Sequence, residues 1–239
     1  SVARAKLSGD SSEVKALALE DLTRPELLLG LGVSQSPETV DTALRGVLKT
    51  LHPELLAAVR SESEEDPRIV RASLVLLGLL GDKNDLELLL QKAADKDPTI
   101  RRAAIHGLSL GHASKDRAHA TMVKGLSDED FSVRAACASA LGGIGKGSAN
   151  KSVTDALVAR LMDDYISVRV EAARSLGRLE ATAAVPKLIS ALEDSSRDVQ
   201  RAALAALARI DDPKARAEVA RFKNHSDWRL REAASGKMN

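Results

Sequence analysis

The chain has one cysteine, Cys137, in 239 residues, which leaves no pair for an internal disulfide and fits a reducing compartment. Aromatics are almost as scarce: Phe131, Tyr165, Phe222 and Trp228 are all there are. Readers of single strands stack bases on rows of aromatic side chains, and no such row is present. Nor is there a surplus of one charge, since 35 Lys and Arg against 34 Asp and Glu leave a formal +1, which argues against a dedicated duplex binder. No apolar run reaches the roughly 18 residues of a membrane-spanning helix. The first residues, Ser-Val-Ala-Arg, include neither an initiator Met nor a secretory apolar stretch, as expected of an excised fragment or a processed chain; the expected location is the cytoplasm.

Catalytic signatures are missing as well. No G-x-S-x-G elbow occurs, and Cys137 falls on a small-residue core position where an inert buried thiol is expected. Gly142 to Ser148 looks like a phosphate-binding loop, but Gly147 separates Lys146 from Ser148, and the stretch follows a helical pattern where such a loop follows a strand. His106, His112 and His119 share one stretch without falling on one helix face, and no paired Cys or carboxylate completes a metal set. Neither cofactor nor metal is expected, and the chain does not read as an enzyme.

What is present is a period. Ile69, Ile100, Val133, Val168, Val199 and Leu230 follow one another at spacings of 31, 33, 35, 31 and 31. Eight residues after the first five stand Leu77, Leu108, Leu141, Leu176 and Leu207, each followed by a small residue: Gly78, Ser109, Gly142, Gly177 or Ala208. That small residue is expected to let a second helix approach closely. Four residues after each anchor the side chain is again small: Ser73, Ala104, Cys137, Ala172, Ala203 and Ala234. In the unit from Asp164 to Asp194, Val168, Ala172, Leu176 and Leu179 share one face of a first helix, and Val185, Leu188, Ile189 and Leu192 one face of a second. Such a pair cannot bury its stripes alone and needs copies stacked beside it. Leu89, Met122, Leu157, Leu188 and Val219 hold the register of the second helices, with Asp95, Asp128, Asp163 and Asp194 six residues after the first four. Asp66-Pro67, Asp97-Pro98, Asp130 and Asp227 read as N-caps of first helices.

Ser132 to Gly145, SVRAACASALGGIG, and Ser167 to Leu179, SVRVEAARSLGRL, resemble the HEAT-like repeats first described in phycocyanobilin lyases, whose unit reads roughly D-x-x-V-R-x-x-A-A-x-A-L-G-x-[IL]. The resemblance extends from about Asp66 to the C-terminus. It implies an all-α, right-handed solenoid of two-helix repeats, in a family that holds scaffolds, regulatory subunits, lyases and glycosylase-like DNA-binding proteins. His-Glu dipeptides, which mark metal-binding relatives such as deoxyhypusine hydroxylase, are absent. Val70 and Gln200 replace the arginine present as Arg101, Arg134, Arg169 and Arg231, so that arginine reads as a structural tie to a neighbouring repeat.

Residues 1–65 are less regular, with helical steps interrupted by Gly30, Gly32, Pro37 and Pro53, and are expected to form about two divergent helical pairs that cap the regular repeats of 66–239, the last of them incomplete, in one continuous solenoid. They hold 7 basic and 11 acidic residues against 28 and 23 in the remainder, and end in the acidic turn Ser61 to Asp66. Phe131, Tyr165 and Trp228, just ahead of anchors, are expected to plug gaps between repeats. By the resemblance, second helices line the concave side and place Gln91, Lys92, Lys124, Arg160, Lys187, Ser190 and Arg221 there. Lys92, Lys124, Arg160, Lys187 and Arg221 would form a discontinuous basic stripe, with Glu193 and Glu218 close by. The expectation is a non-catalytic interaction scaffold or regulatory module that takes an acidic or extended protein segment on this face. A nucleic-acid backbone on the same stripe, or a lyase role on a tetrapyrrole, are the alternatives.

Overall fold

The computed structural model describes residues 37–61, 66–110, 115–145 and 150–235. Residues 1–36 of the expected cap lie outside the described residues, as do 62–65 of the acidic turn, 146–148 of the glycine loop and His112. The described chain is helical throughout, without a strand: α1 Pro37–Arg60, α2 Pro67–Leu80, α3 Leu86–Lys92, α4 Pro98–Leu110, α5 Lys115–Gly125, α6 Phe131–Gly142, α7 Lys151–Arg160, α8 Ile166–Arg178, α9 Val185–Ser190, α10 Arg197–Arg209, α11 Pro213–Phe222 and α12 Trp228–Ala234. Short 3₁₀ turns at Lys83–Asp85, Thr182–Ala184 and Ala191–Glu193 flank α3 and α9. None of the described helices is long and apolar enough to cross a membrane.

The helices form two compact units, Ser1–Ala118 and His119–Asn239. In the first, α2 packs on α1 and α4, and α3 on α4; in the second, α6, α8, α10 and α12 stack in sequence, with α7 on α8 and with α9 and α11 on α10. This is an all-α solenoid, built from first helices layered on first helices.

Local chemistry starts these helices where the sequence says it should. Asp66, Asp97, Asp130 and Asp227 accept from the backbone N–H two residues on, at 2.9, 2.7, 2.8 and 2.9 Å, which satisfies donors that a helix start leaves free. Every anchor from Ile69 to Leu230 is buried, and so are the leucines eight residues on. At about 1.5–3 kcal/mol for each buried aliphatic side chain, these layers are the main favourable term of the fold.

Two expectations need correction. Pro53 does not end a helix; it sits inside α1. Its ring and missing N–H cost a helix about 3 kcal/mol. Leu48, Leu51, Leu55 and Val59, at steps of three and four around it, are all buried, and together they outweigh that penalty. The small residue after the eighth-position leucine does not serve the second helix. A Cβ on Gly78 would lie 2.1 Å from the carbonyl oxygen of Gly107, and one on Gly177 would lie 2.6 Å from Cα of Ala206, so these glycines bring successive first helices into backbone contact. The partner of Gly78 is Gly107, and Ser109 is exposed. Second helices are met instead by the small residue four after the anchor: a Cβ on Gly125 of α5 would lie 2.4 Å from Sγ of Cys137.

Candidate functional site

The recurrent arginine is a structural tie, and its partner is the aspartate that ends a second helix. Arg134 sends Nε and Nη2 to the two carboxylate oxygens of Asp163 at 2.8 and 2.9 Å, and Nη1 to the carbonyls of Asp128 and Glu129 at 2.9 and 3.0 Å. Arg169 repeats the pattern one repeat later, with Asp194 at 2.8 and 3.0 Å and the carbonyls of Asp163 and Asp164 at 2.8 and 3.2 Å. Each aspartate also accepts a backbone N–H from the loop after it, Tyr165 on Asp163 and Ser196 on Asp194. Burial raises the Asp163 pKa; the hydrogen bonds from Arg134 and Tyr165 and the charges of Arg134 and Arg160 outweigh it and hold the carboxyl below its ordinary value. Asp194 is likewise lowered, against burial, by Arg169 and the Ser196 N–H. Where Gln200 replaces the arginine, its Nε2 still donates to the carbonyl of Asp194 at 2.7 Å, and His225 takes over the loop-capping role by accepting from the N–H of Asp227 at 3.0 Å.

The cations of the second helices have different fates. Relative to the buried Leu89, Met122, Leu157, Leu188 and Val219, Lys124, Lys187 and Arg221 stand between about 200° and about 260° around the helix, away from the core, whereas Lys92 and Arg160, at about 300°, flank the buried face and are half-buried. Lys124 and Lys187 are exposed, and among the described residues their ammonium groups make neither a hydrogen bond nor an ion pair. Arg221 is exposed and pairs with Glu218 at 2.8 Å. Arg160 turns back onto the carbonyl of Leu126 at 3.1 Å and Asp163 at 3.4 Å, which makes it part of the tie around Asp163. Lys92, in the first unit, is half-buried on Asp95 at 3.3 Å, and the arginine position of the same repeat is taken by Val70. Gln91 and Ser190 are exposed. Sequence offers no sign that separates a free lysine from an arginine folded back on a carbonyl.

The aromatic side chains expected to plug gaps between repeats are only partly buried. Phe131, Tyr165 and Trp228 are 40%, 49% and 58% exposed, because each sits at the start of a first helix, on the loops and outside the layered seam. Trp228 lies 5.5 Å beneath the guanidinium of Arg229.

Cys137 is fully buried, and its thiol pKa is pushed up to about 12 by burial and, second, by the charge of Asp128. Thiolate is the reactive form, so iodoacetamide at mildly alkaline pH is expected to leave the native chain unmodified and to label it once urea unfolds it. Rapid alkylation of the native chain, followed by mass spectrometry, would contradict this burial. Among the described residues no three of His, Cys, Asp and Glu come together as a set of metal ligands.

A sequence model described as HEAT repeats matches residues 86–167 and again 154–236. No curated protein sequence matches the chain. Among solved structures, the complex of CpcE and CpcF of phycocyanin lyase from Nostoc sp. superposes with a TM-score of 0.55 at 22% identity, over 75% of this chain and 73% of that one. An engineered protein reaches 0.58 at 20% identity, over 98% and 76%. A designed armadillo repeat protein in complex with the peptide (KR)4 reaches 0.55 at 16%, over 77% and 96%. Identities this low show a shared fold and nothing of shared chemistry.

Proposed function

The chain belongs to the HEAT repeat family, and from that footing we propose that it is a non-catalytic scaffold that binds an acidic, extended protein segment across its second helices, with residues 1–65 as its cap. The observation that carries this reading is the pair of exposed ammonium groups on α5 and α9, Lys124 and Lys187, that have no partner among the described residues. The arginines of the layered seam are consumed in holding repeats together, whereas these lysines, in the last turns of their helices, make no hydrogen bond or ion pair among the described residues. Arg221 adds a third charge that a stronger acid can recruit from Glu218, while Arg160 contributes field more than contact. A rigid stack presents such groups without further ordering, which lowers the entropic cost when an extended partner docks. In the first unit, Lys92 offers the same chemistry in weaker form.

A nucleic-acid backbone would meet the same lysines, but Phe131, Tyr165 and Trp228 sit at the starts of α6, α8 and α12, and the one aromatic on a second helix, Phe222, is half-buried and stacked on the His225 ring, so no row of rings accompanies the lysines. Nothing on this chain beyond the shared fold points to a tetrapyrrole. The test is an affinity capture from source lysate, with and without nuclease, using the wild-type chain beside Lys124→Glu, Lys187→Glu. The identified partner is then titrated with both. Reversing both charges should weaken binding at least about tenfold, or about 1.4 kcal/mol, and added salt should weaken the wild type. Equal affinity for both chains would move the site off these helices, and nuclease-sensitive recovery would replace the protein partner with a nucleic acid.

A further inference from the structure

The loops that lead into α6 and α8 read Ser127-Asp-Glu-Asp-Phe131 and Met162-Asp-Asp-Tyr-Ile166, and the second departs from the other loops of the same register at two positions. Counted back from the anchor, Met162 stands where other repeats carry Ala94, Ser127, Glu193 or Asn224. Tyr165 stands where they carry Asp66, Asp97, Asp130, Ser196 or Asp227, the N-cap position. The exchange has a cost: Tyr165 gives α8 no side-chain cap, a loss worth roughly 1 kcal/mol in a typical helix. What the exchange adds is an aromatic ring that is 49% exposed.

These side chains also meet. The rings of Phe131 and Tyr165 stack at 4.4 Å with an interplanar angle of 6°, and the Arg134 guanidinium lies 5.6 Å from the Tyr165 centroid on its other contacts' rigid base. Met162 is 84% exposed and Ile166 49%, so an apolar surface of four side chains faces solvent with no cover among the described residues. Beside it opens a shallow depression of about 420 Å³ lined by Ser127, Asp128, Arg134, Arg160, Met162 and Asp164. The two loops carry Asp128, Glu129, Asp130, Asp163 and Asp164 and not a single cation; Asp163 is paired with Arg134 and Arg160 and Asp130 caps α6, and both guanidiniums of the depression are committed to Asp163 and to backbone carbonyls. The Asp164 carboxylate makes no hydrogen bond among the described residues. The edge is therefore apolar at its centre, negative at its rim and fixed from below by the Arg134–Asp163 tie.

We propose that this edge is a second docking site, for a basic peptide segment that carries one bulky aliphatic side chain between lysines or arginines. The aliphatic group covers Met162, Tyr165 and Ile166, and the flanking cations meet Asp164 and Glu129. The two sites select opposite charge, so one chain can join an acidic partner to a basic one.

Fluorescence anisotropy with the labelled peptide Gly-Lys-Arg-Leu-Lys-Arg-Gly tests this on the full chain, against the same peptide with Ala for Leu and against Gly-Glu-Glu-Leu-Glu-Glu-Gly. Binding of the first peptide is expected to exceed that of either control at least about tenfold and to weaken with salt. Tyr165→Asn and Met162→Ala should each weaken it several-fold. Asn restores a neutral cap to α8, so a Tyr165→Asn chain with an unchanged or raised melting temperature and reduced binding separates docking from folding. Equal binding of the Leu and Ala peptides, unimpaired binding by both variants, or no saturation by the wild type at low salt would each overturn the proposal. So would sedimentation showing that the chain pairs with itself through Met162 and Tyr165, since a second copy would then be the occupant.

Discussion

Gly78→Ala, the addition of one methyl group, is expected to destabilise the first unit by about 3 kcal/mol, at the upper end of what overpacking typically costs. The new Cβ would lie 2.1 Å from the carbonyl oxygen of Gly107 and 2.4 Å from its Cα. Both are backbone atoms on α4, which cannot swing aside as a side chain tip does. The reverse contact closes the trap, since the Cβ position of Gly107 is itself 2.4 Å from the carbonyl oxygen of Leu74 on α2. Relief requires α2 and α4 to separate, and that opens the burial of Leu74, Leu77 and Leu108. The same substitution at Gly46, exposed within α1 and with no described atom within 4 Å of an added Cβ, is expected to stabilise the chain by roughly 0.5–1 kcal/mol through reduced backbone entropy of the unfolded state. Urea unfolding followed by circular dichroism checks both. A repeat stack can melt unit by unit, so the quantity to compare is the transition of the first unit. A Gly78→Ala chain no less stable than Gly46→Ala would show that α2 and α4 do not touch through their backbones.

The layering was legible in the sequence because it rests on the anchors from Ile69 to Leu230, whose period survives the variable loop lengths. The caps at Asp66, Asp97, Asp130 and Asp227 were legible for the same reason: each is local chemistry within three residues. The partner of Gly78 was not, because Gly107 lies 29 residues away and a spacing along one helix does not say which neighbour that helix meets. Pro53 shows the limit of local rules, since the burial that keeps α1 intact is tertiary. At the candidate surfaces, Lys124 and Arg160 look equivalent as cations on second helices, and only the fold back onto Leu126 and Asp163 separates them. Phe131 and Tyr165 were placed correctly at the repeat junctions, but a junction has an inside and an outside, and exposure cannot be read from spacing.

The Arg134–Asp163 tie yields the other large effect, and a pH signature that identifies its cause. Arg134→Ala is expected to cost about 3 kcal/mol at neutral pH, because it leaves the buried Asp163 carboxylate with Arg160 at 3.4 Å as its remaining cation and frees the carbonyls of Asp128 and Glu129. In the wild type the folded pKa of Asp163 is lowered, so the stability it contributes is fully present above the unfolded value near 4 and is lost as pH falls through the lower folded value. Removing Arg134 takes away the largest opposing influence, so burial is expected to raise that pKa relative to the wild type against the Tyr165 N–H and Arg160 that remain. Acidification then costs the variant less than it costs the wild type. The difference between the two chains should therefore shrink as pH drops from neutral to about 3, even as both lose stability in absolute terms. The chain already contains the compensated version of this change, since Gln200 and His225 replace arginine and aspartate together and keep one of the arginine's two carbonyl bonds and the aspartate's bond from the loop N–H. Arg134→Gln combined with Asp163→Asn should accordingly cost less than Arg134→Ala alone, with a coupling of about 1–3 kcal/mol in a double-mutant cycle. Urea unfolding at neutral and acidic pH measures all of these. If the cost of Arg134→Ala stayed constant with pH, the contribution of Arg134 would lie in its contacts with the backbone and the Tyr165 ring, and the buried charge would not be what the repeats are tied by.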